Sequence, residues 1–147
     1  MSRENVEFVA GIFEAAEDMD KEALVAALPD LVPQLCDPDV EWIEDPQRAD
    51  ARVYRGHQGV IDSWRQWLEQ FGDYGFDVER IADCGGDDVF VVAREHGTGA
   101  LSDAPVGARI YQVITVIDGK VRRYREFYDE KAALEAAGSR SKASRPC

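Results

Sequence analysis

The sequence predicts an α+β domain in which a strongly bent antiparallel or mixed sheet wraps around N-terminal helices and leaves a central pocket. Apolar residues recur at helical spacing in the first half of the chain, whereas alternation with a period of two dominates from residue 74 onward. Asp118-Gly119 stands between two runs of β-branched and aromatic residues, which is a strong signal for a two-residue hairpin turn. Helices followed by consecutive antiparallel strands are typical of domains whose helices cover one face of a sheet.

The first half of the chain is predicted to be mainly helical. An amphipathic pattern covers roughly residues 3–17, and a second, shorter helix is expected to end before Pro29. A separate third turn is expected to reach about Leu35, held between Pro33 and Pro38. A short strand at residues 40–43 and a polar loop at residues 46–53 should follow. The clearest helix pattern of the chain covers residues 60–71, with two tryptophans on its apolar face.

The second half is predicted to contain four consecutive strands and one helix. The strands should cover residues 74–84, 89–96, 109–117 and 120–128, with a glycine-rich loop before the third strand. Asp129 is expected to cap a last helix that ends at Gly138. We therefore predict one domain over residues 1–138 and a disordered tail of serine and basic residues over 139–147.

The hairpin that follows from the Asp118-Gly119 turn assigns its side chains to two faces. Counting outward from the turn pairs Ile117 with Lys120, Thr115 with Arg122, Val113 with Tyr124, and Tyr111 with Glu126. The first face then presents Tyr111, Val113, Tyr124, Glu126 and Tyr128. The second presents Ile110, Ile114, Val116, Arg123, Arg125 and Phe127.

Composition excludes several classes of partner. The net charge of −12 should repel nucleic acid and anionic membrane surfaces, so neither is expected as a partner. No apolar run is long enough for a membrane span, and the N-terminus has no signal-peptide pattern. Three scattered cysteines without a C-x-x-C motif favour a reducing compartment, so we expect a cytoplasmic protein.

No cofactor or metal is expected either. The two histidines are far apart in the sequence and have no cysteine or carboxylate set at ligand spacing. The sequence also contains no phosphate loop, no dinucleotide fingerprint and no nucleophile elbow.

Two stretches and the order of the elements carry a family resemblance. Tyr54-Arg-Gly-His-Gln-Gly-Val60 precedes the tryptophan-rich helix, and Tyr124-Arg-Glu-Phe-Tyr-Asp129 follows the hairpin turn. Over about residues 4–137 the chain closely resembles SnoaL-like proteins of the nuclear transport factor 2-like superfamily. The resemblance implies an α+β cone whose pocket lies between the helices and the concave sheet face, and a homodimer formed through the convex face. The second hairpin face would then be the dimer surface, with Ile110, Ile114, Val116, Arg123, Arg125 and Phe127. It does not imply one activity, because this fold carries isomerases, cyclases, epoxide hydrolases, dehydratases and non-catalytic binding proteins.

The resemblance implies a first candidate site at Glu126, Arg94 and His96. Members similar to limonene epoxide hydrolase carry Arg-x-Asp on one strand and a catalytic Asp in the stretch that matches Tyr124–Asp129 here. Glu126 falls on that Asp, and Arg94-Glu-His96 falls on the Arg-x-Asp motif. A carboxylate would activate water, the arginine would orient it, and His96 would donate a proton. The alternative is a buried ion pair between Arg94 and Glu126 that lines a pocket without catalysis.

A second candidate is Asp45. Members similar to ketosteroid isomerase place their general base in a stretch that matches Ile43-Glu-Asp45-Pro46, where a carboxylate shuttles a proton beside a carbonyl. This sequence lacks the tyrosine and the acidic oxyanion-hole donors that such chemistry needs. An ordinary turn start at Asp45-Pro46 is the alternative.

Trp42, Phe90 and His57 complete the expected pocket lining, together with Tyr111, Val113, Tyr124 and Tyr128. His57 has an alternative role in capping the helix that follows it. Two functional hypotheses remain open. One is a protein that binds a small hydrophobic or polyketide- or terpenoid-like molecule without turnover. The other is a cofactor-independent epoxide hydrolase, isomerase or cyclase that uses Glu126 or Asp45 with Arg94 and His96.

Overall fold

The computed structural model describes residues 2–102 and 104–138, so the tail predicted for residues 139–147 lies outside the described residues. The described part is an α+β fold, as predicted. Its elements are α1 (Ser2–Glu17), α2 (Lys21–Leu35), β1 (Cys36–Ile43), β2 (Val53–Arg55), α3 (Gly56–Leu68), β3 (Phe71–Asp83), β4 (Asp88–Gly99), β5 (Pro105–Ile117), β6 (Lys120–Phe127) and α4 (Glu130–Gly138).

The six strands form one bent mixed sheet in the order β2-β1-β6-β5-β4-β3. All neighbouring pairs are antiparallel except β1 and β6, which run parallel. We call the side that faces α1, α2 and α3 the inner face, and the side that carries α4 the outer face. Each strand alternates its side chains between these two faces.

Each face has its own apolar core. The inner core joins helix residues such as Val9, Leu28 and Val60 to strand residues such as Val91 and Ile114. The outer core joins Ala133 and Ala137 of α4 to Phe90, Val92 and Val113. Burial on both faces explains why β4 reads as a nearly continuous apolar run from residue 89 to residue 93.

Helix α2 contradicts the prediction that the second helix ends before Pro29. It continues to Leu35 with both Pro29 and Pro33 inside it. A proline removes one backbone donor and strains the preceding turn, which normally ends a helix. Here Leu24, Leu28 and Val32 are buried along one face of the helix, and this packing outweighs the local cost.

The hairpin turn is confirmed, but the register that we derived from it is wrong. Asp118 has φ 53° and Gly119 has φ 74°, as a two-residue turn requires. Ile117 pairs with Lys120 as expected, and Thr115 then pairs with Arg123 in place of Arg122. A β-bulge at Arg122 adds one residue to β6, and beyond it the alternation of side chains is reversed relative to β5.

Because of this reversal, five residues of β5 lie on the opposite face of the sheet from the one that we predicted. Tyr111, Val113 and Phe90, all predicted to line the pocket, pack together on the outer face and do not line the inner cavity. Ile110, Ile114 and Val116, which we expected at a dimer surface, point to the inner face and are buried. Arg123, Arg125 and Phe127 do lie on the outer face, where α4 covers part of the sheet. Dimerisation itself stays a prediction.

The remaining strands are longer than predicted. The segment expected to be a glycine-rich loop belongs largely to β4 and β5, which pair as far as Thr98 with Pro105. A Cβ atom on Gly97 would lie 2.0 Å from the Asp73 carbonyl oxygen, so only glycine allows this approach of β4 to β3. Asp129 caps α4 as predicted, because its side chain accepts a hydrogen bond from the Ala132 N–H at 3.0 Å. Among the described helices, none is long and apolar enough to cross a membrane.

Candidate functional site

A cavity lies between the inner face of the sheet and helices α1 and α3. We call it the polar chamber. Its aromatic walls are Phe13, Trp42, Trp64, Trp67, Phe76 and Tyr124. Its polar groups are Glu44, Ser63, Tyr74, Glu95, Gln112 and Glu126. The chamber thus combines aromatic walls with an equal number of polar groups, and such polar groups fix the orientation of a small molecule in an otherwise apolar site.

Glu126 stands in this chamber at the end of β6, directly opposite Gln112 of β5. Its side chain is 16% exposed, and its Oε1 atom is buried without a hydrogen-bond partner among the described residues. Arg48 Nη1 lies 3.6 Å from the same oxygen, which is an ion-pair distance but too long for a hydrogen bond. The carboxyl group is therefore positioned by the sheet and only partly neutralised.

This environment changes the proton affinity of Glu126. Burial raises the pKa of its carboxyl group from 4.5 to about 7, because a charged carboxylate loses hydration in the chamber. Arg48 opposes the rise, Glu95 and Glu44 add to it by like-charge repulsion, and the backbone N–H of Asp45 also opposes it. Both protonation states of Glu126 are thus accessible near neutral pH.

Arg48 was not predicted from the sequence. It lies in the segment between β1 and β2, which reads only as a polar loop, and three acidic side chains surround it. Its guanidinium is 3.2 Å from Asp50, 3.7 Å from Glu44 and 3.6 Å from Glu126, and it lies over the Trp67 ring at 5.6 Å. Arg48 therefore connects this loop to the mouth of the polar chamber.

Glu95 is a second buried carboxyl group of the chamber that sequence reasoning missed. Its Oε2 atom accepts hydrogen bonds from Trp67 Nε1 at 2.8 Å and from the Tyr74 hydroxyl at 2.5 Å. Burial raises the pKa of Glu95, and the two hydrogen bonds partly oppose that rise. The sequence did indicate that Glu95 is buried, because alternation along β4 places it on the same face as the apolar residues Val91 and Ala93.

Arg94 and His96 lie on the other face of β4, where both are exposed. His96 Nε2 is 3.3 Å from Asp77 Oδ2 on the neighbouring strand. The predicted grouping of Arg94 and His96 with Glu126 is therefore wrong, and so is the alternative ion pair between Arg94 and Glu126. The Arg-x-Asp motif did identify a strand that lines the chamber. The residue of β4 that faces the chamber is Glu95, which lies between the two motif positions Arg94 and His96.

Asp45 stabilises the backbone around it and does not face the chamber. Its Oδ1 accepts from the Gln47 N–H at 2.9 Å, and its Oδ2 accepts from the Tyr128 N–H at 2.9 Å. Asp45 is 4% exposed and does not line the polar chamber. With both oxygens engaged by backbone donors, it joins the loop after β1 to the end of β6, as the turn interpretation expected.

The other predicted pocket residues are divided between the chamber and its surroundings. Trp42 and Tyr124 line the chamber, and their rings stack with centroids 3.8 Å apart and an interplanar angle of 10°. His57 instead contacts the Cys36 carbonyl at 2.8 Å and so holds the start of α3 against β1. Tyr128 lies just outside, where burial raises the pKa of its hydroxyl and the Glu126 charge raises it further.

No group of three or more His, Cys, Asp or Glu side chains within residues 2–102 and 104–138 is arranged to hold a metal ion. The acidic side chains at the chamber mouth converge on Arg48 instead.

The family model of the SnoaL-like domain matches residues 9–124, which is most of the chain. The chain belongs to this family. The match includes the helices and strands that form the polar chamber and ends just before Glu126. No curated protein matches this SnoaL-like chain.

Solved structures agree with this SnoaL-like fold. One similar structure is that of a protein from Jannaschia sp. CCS1, which is provisionally described as a SnoaL-like polyketide cyclase. It shares 21% sequence identity with this chain and has a TM-score of 0.67, with 94% of each chain covered. An NTF2-like protein from Burkholderia thailandensis E264 has 25% identity and a TM-score of 0.66, over 93% of this chain and 97% of the other. TerC, crystallised with polyporic acid, has 20% identity and a TM-score of 0.63, over 90% and 97%. At these identities the likeness establishes the fold.

Proposed function

We propose that this SnoaL-like protein binds a small, mostly apolar molecule in the polar chamber, with a hydroxyl group of the ligand donating to Glu126. One observation carries the proposal: a carboxyl group in an aromatic cavity has a buried oxygen that no described residue bonds. Buried polar atoms are nearly always satisfied, so such an oxygen is a ready acceptor for a ligand. The association of TerC with polyporic acid, and the polyketide cyclase name of the Jannaschia protein, support the same class of ligand.

The probe for this proposal is 4-ethylphenol, with ethylbenzene as the matched molecule that lacks the hydroxyl group. A hydrogen bond to a charged acceptor contributes about 1 kcal/mol more than one to a neutral acceptor, which corresponds to about fivefold in affinity. Because the pKa of Glu126 is about 7, we expect 4-ethylphenol to bind about fivefold more tightly when the carboxylate is ionised. Titration by NMR at about pH 5.5 and about pH 8 measures this difference.

Two comparisons control the result. Ethylbenzene should bind with the same affinity at both pH values, and Glu126→Gln should remove the pH dependence for 4-ethylphenol. The proposal fails if neither probe binds, or if the variant keeps the pH dependence of the natural chain.

A second candidate function is acid–base catalysis by Glu126. It is favoured by the pKa of about 7, since a general base works best when its pKa lies near the operating pH. The ionised carboxylate would remove a proton from the carbon beside a ligand carbonyl, and the electron pair of that C–H bond would move onto the carbonyl oxygen. Return of a solvent-exchanged proton to the same carbon would complete the cycle.

Deuterium incorporation into 4-phenyl-2-butanone in heavy water tests this candidate by NMR. We expect protein-dependent exchange beside the carbonyl, and a loss of about 10²- to 10⁴-fold in Glu126→Gln, the range for one positioned acid or base. Glu14→Gln is the matched control, because Glu14 is exposed on α1 and does not line the polar chamber, so it should leave the exchange rate unchanged. Exchange that persists in Glu126→Gln would exclude Glu126 as the base.

A further inference from the structure

Cys84 belongs to the outer face of the sheet, away from the polar chamber. It directly follows β3, is 6% exposed, and packs in one cluster with Phe90 and with Ala133 and Ala137 of α4. Its sulfur atom is disulfide-bonded. A disulfide requires a second cysteine whose Cα atom lies within about 7 Å, so the partner must reach the outer face beside α4.

The sequence offers two candidates for that partner, Cys36 and Cys147. Cys36 is a free thiol and belongs to the inner core, on the opposite side of the sheet from Cys84. Burial also raises the pKa of the Cys36 thiol to about 11, so little of its reactive thiolate is present near neutral pH. Cys147 is therefore the one candidate left within the chain.

The length of the chain after α4 allows Cys147 to return to Cys84. Helix α4 ends at Gly138, and residues 139–147 follow it. Because Ala137 packs in the same cluster as Cys84, this tail begins beside its target. A fully extended segment of that length spans up to about 30 Å, which is far more than the return requires.

The charges of the two segments favour the same contact. The tail contributes three basic side chains and no acidic one: Arg140, Lys142 and Arg145. The turn beside Cys84 carries Asp83 and Asp87, and both are exposed. Opposite charges raise the local concentration of the tail near this turn, so the reaction of the two cysteines is favoured before any bond forms.

Helix α4 would gain from such a bond, because its own packing is slight. It has nine residues, and its buried side chains are the small ones of Ala133 and Ala137, with Leu134 partly buried. Helices of this length are marginal by themselves, and alanine side chains bury little apolar area. A covalent link after α4 would hold the helix against Phe90 and Val113 of the outer core.

We propose that Cys147 forms a reversible disulfide with Cys84, which makes the C-terminal tail a redox-sensitive strap that holds α4 on the outer face. The cysteine pattern favours a reducing compartment, where disulfides are usually transient or redox-sensing. The strap closes under oxidation and releases α4 on reduction. This proposal does not depend on a ligand in the polar chamber.

A small-molecule disulfide such as oxidised glutathione supplies the oxidation. The thiolate of Cys147 attacks one sulfur of this reagent, a mixed disulfide forms, and one glutathione thiolate leaves. The thiolate of Cys84 then attacks the Cys147 sulfur and releases the second glutathione. The two cysteines together lose two protons and two electrons, and one molecule of oxidised glutathione becomes two thiols.

Peptide mapping without reduction identifies the bond. After the full chain is treated with oxidised glutathione, trypsin should release the segments 81–94 and 143–147 as one linked pair. Dithiothreitol should separate the pair. Cys147→Ser should lose the linked pair, whereas Cys36→Ala, the matched control, should keep it.

Melting temperature and amide hydrogen exchange test the role of the strap. The oxidised protein should melt about 5–10 °C higher than the reduced protein, because the bond restricts the unfolded chain. The amides of α4 should exchange more slowly in the oxidised protein. Cys147→Ser should show neither difference, because it keeps Cys84 in the outer core but lacks the thiol of the tail.

Three results would overturn the proposal. The first is the absence of the linked pair after oxidation, including a chain that carries separate glutathione adducts on Cys84 and Cys147. The second is a linked pair found only in a covalent dimer, which would assign the bond to a second copy of the chain. The third is a linked pair that leaves the melting temperature and the exchange of α4 unchanged, or differences that persist in Cys147→Ser.

Discussion

Glu126→Gln is expected to make the protein more stable at pH 8 by about 3 kcal/mol, although the substitution removes a charge that faces Arg48. The folded protein holds the pKa of Glu126 at about 7, against 4.5 for an unperturbed glutamate. Each pKa unit corresponds to about 1.4 kcal/mol, so the folded state loses about 3 kcal/mol when this carboxyl group ionises fully. Glutamine never ionises and avoids that loss.

The sign of the pH dependence follows from which state holds the proton more tightly. Below about pH 4.5 Glu126 is protonated in both the folded and the unfolded chain, so it adds no difference between them. Between about pH 4.5 and about pH 7 the folded chain binds more protons, so the free energy of unfolding falls as the pH rises. Above about pH 7 the full loss is present.

Urea unfolding of both proteins at about pH 5 and about pH 8 measures the effect. The advantage of Glu126→Gln should be about 1 kcal/mol at the lower pH and about 3 kcal/mol at the higher pH. Glu14→Gln, on the exposed face of α1, controls for the general effect of removing a negative charge from an acidic protein. An advantage of equal size at both pH values would contradict the raised pKa.

Tyr74→Phe should destabilise the protein by about 2 kcal/mol, the range for a hydrogen bond to a charged group. The substitution removes only the hydroxyl that donates to Glu95 Oε2, and the ring contacts with Phe71 and Phe76 remain. Glu95 is 8% exposed, so water does not replace the lost donor. The loss should increase with pH, because ionised Glu95 needs the donor more than protonated Glu95 does.

A double-mutant cycle isolates this interaction. In a Glu95→Gln background the same Tyr74→Phe substitution should cost about 1 kcal/mol or less, since the acceptor is then neutral. Tyr54→Phe is the matched control, because its hydroxyl donates to Gln66 at 3.1 Å at an exposed site. If Tyr74→Phe costs no more than Tyr54→Phe, the bond to Glu95 contributes little to stability.

The sequence was a good guide where local chemistry decides the structure. Two residues with positive φ form the hairpin turn, a side-chain carboxylate caps α4, and the period of apolar residues gives the helices their faces. It failed where packing overrides local preference. Pro29 should end a helix, but three buried residues of α2 hold it in place.

The candidate site was harder to predict than the fold, for two physical reasons. Face assignment along a strand depends on counting, and the bulge at Arg122 changes the count without an obvious sequence signal. Arg48 reaches the site from a loop, and its position depends on two acidic side chains of that loop and on Glu126, which β6 brings from far along the chain. The position of Glu95 on the inner face could have been predicted, because side chains alternate along β4 and place Glu95 on the opposite face from Arg94 and His96.

The bulge at Arg122 has a consequence for the charge inside the protein. In a regular hairpin with the same turn, the inner face of β6 would carry Arg123, Arg125 and Phe127 in place of Tyr124 and Glu126. The same sequence would then enclose a cationic interior in place of an anionic one. A single backbone irregularity therefore sets the sign of the charge that a guest molecule meets.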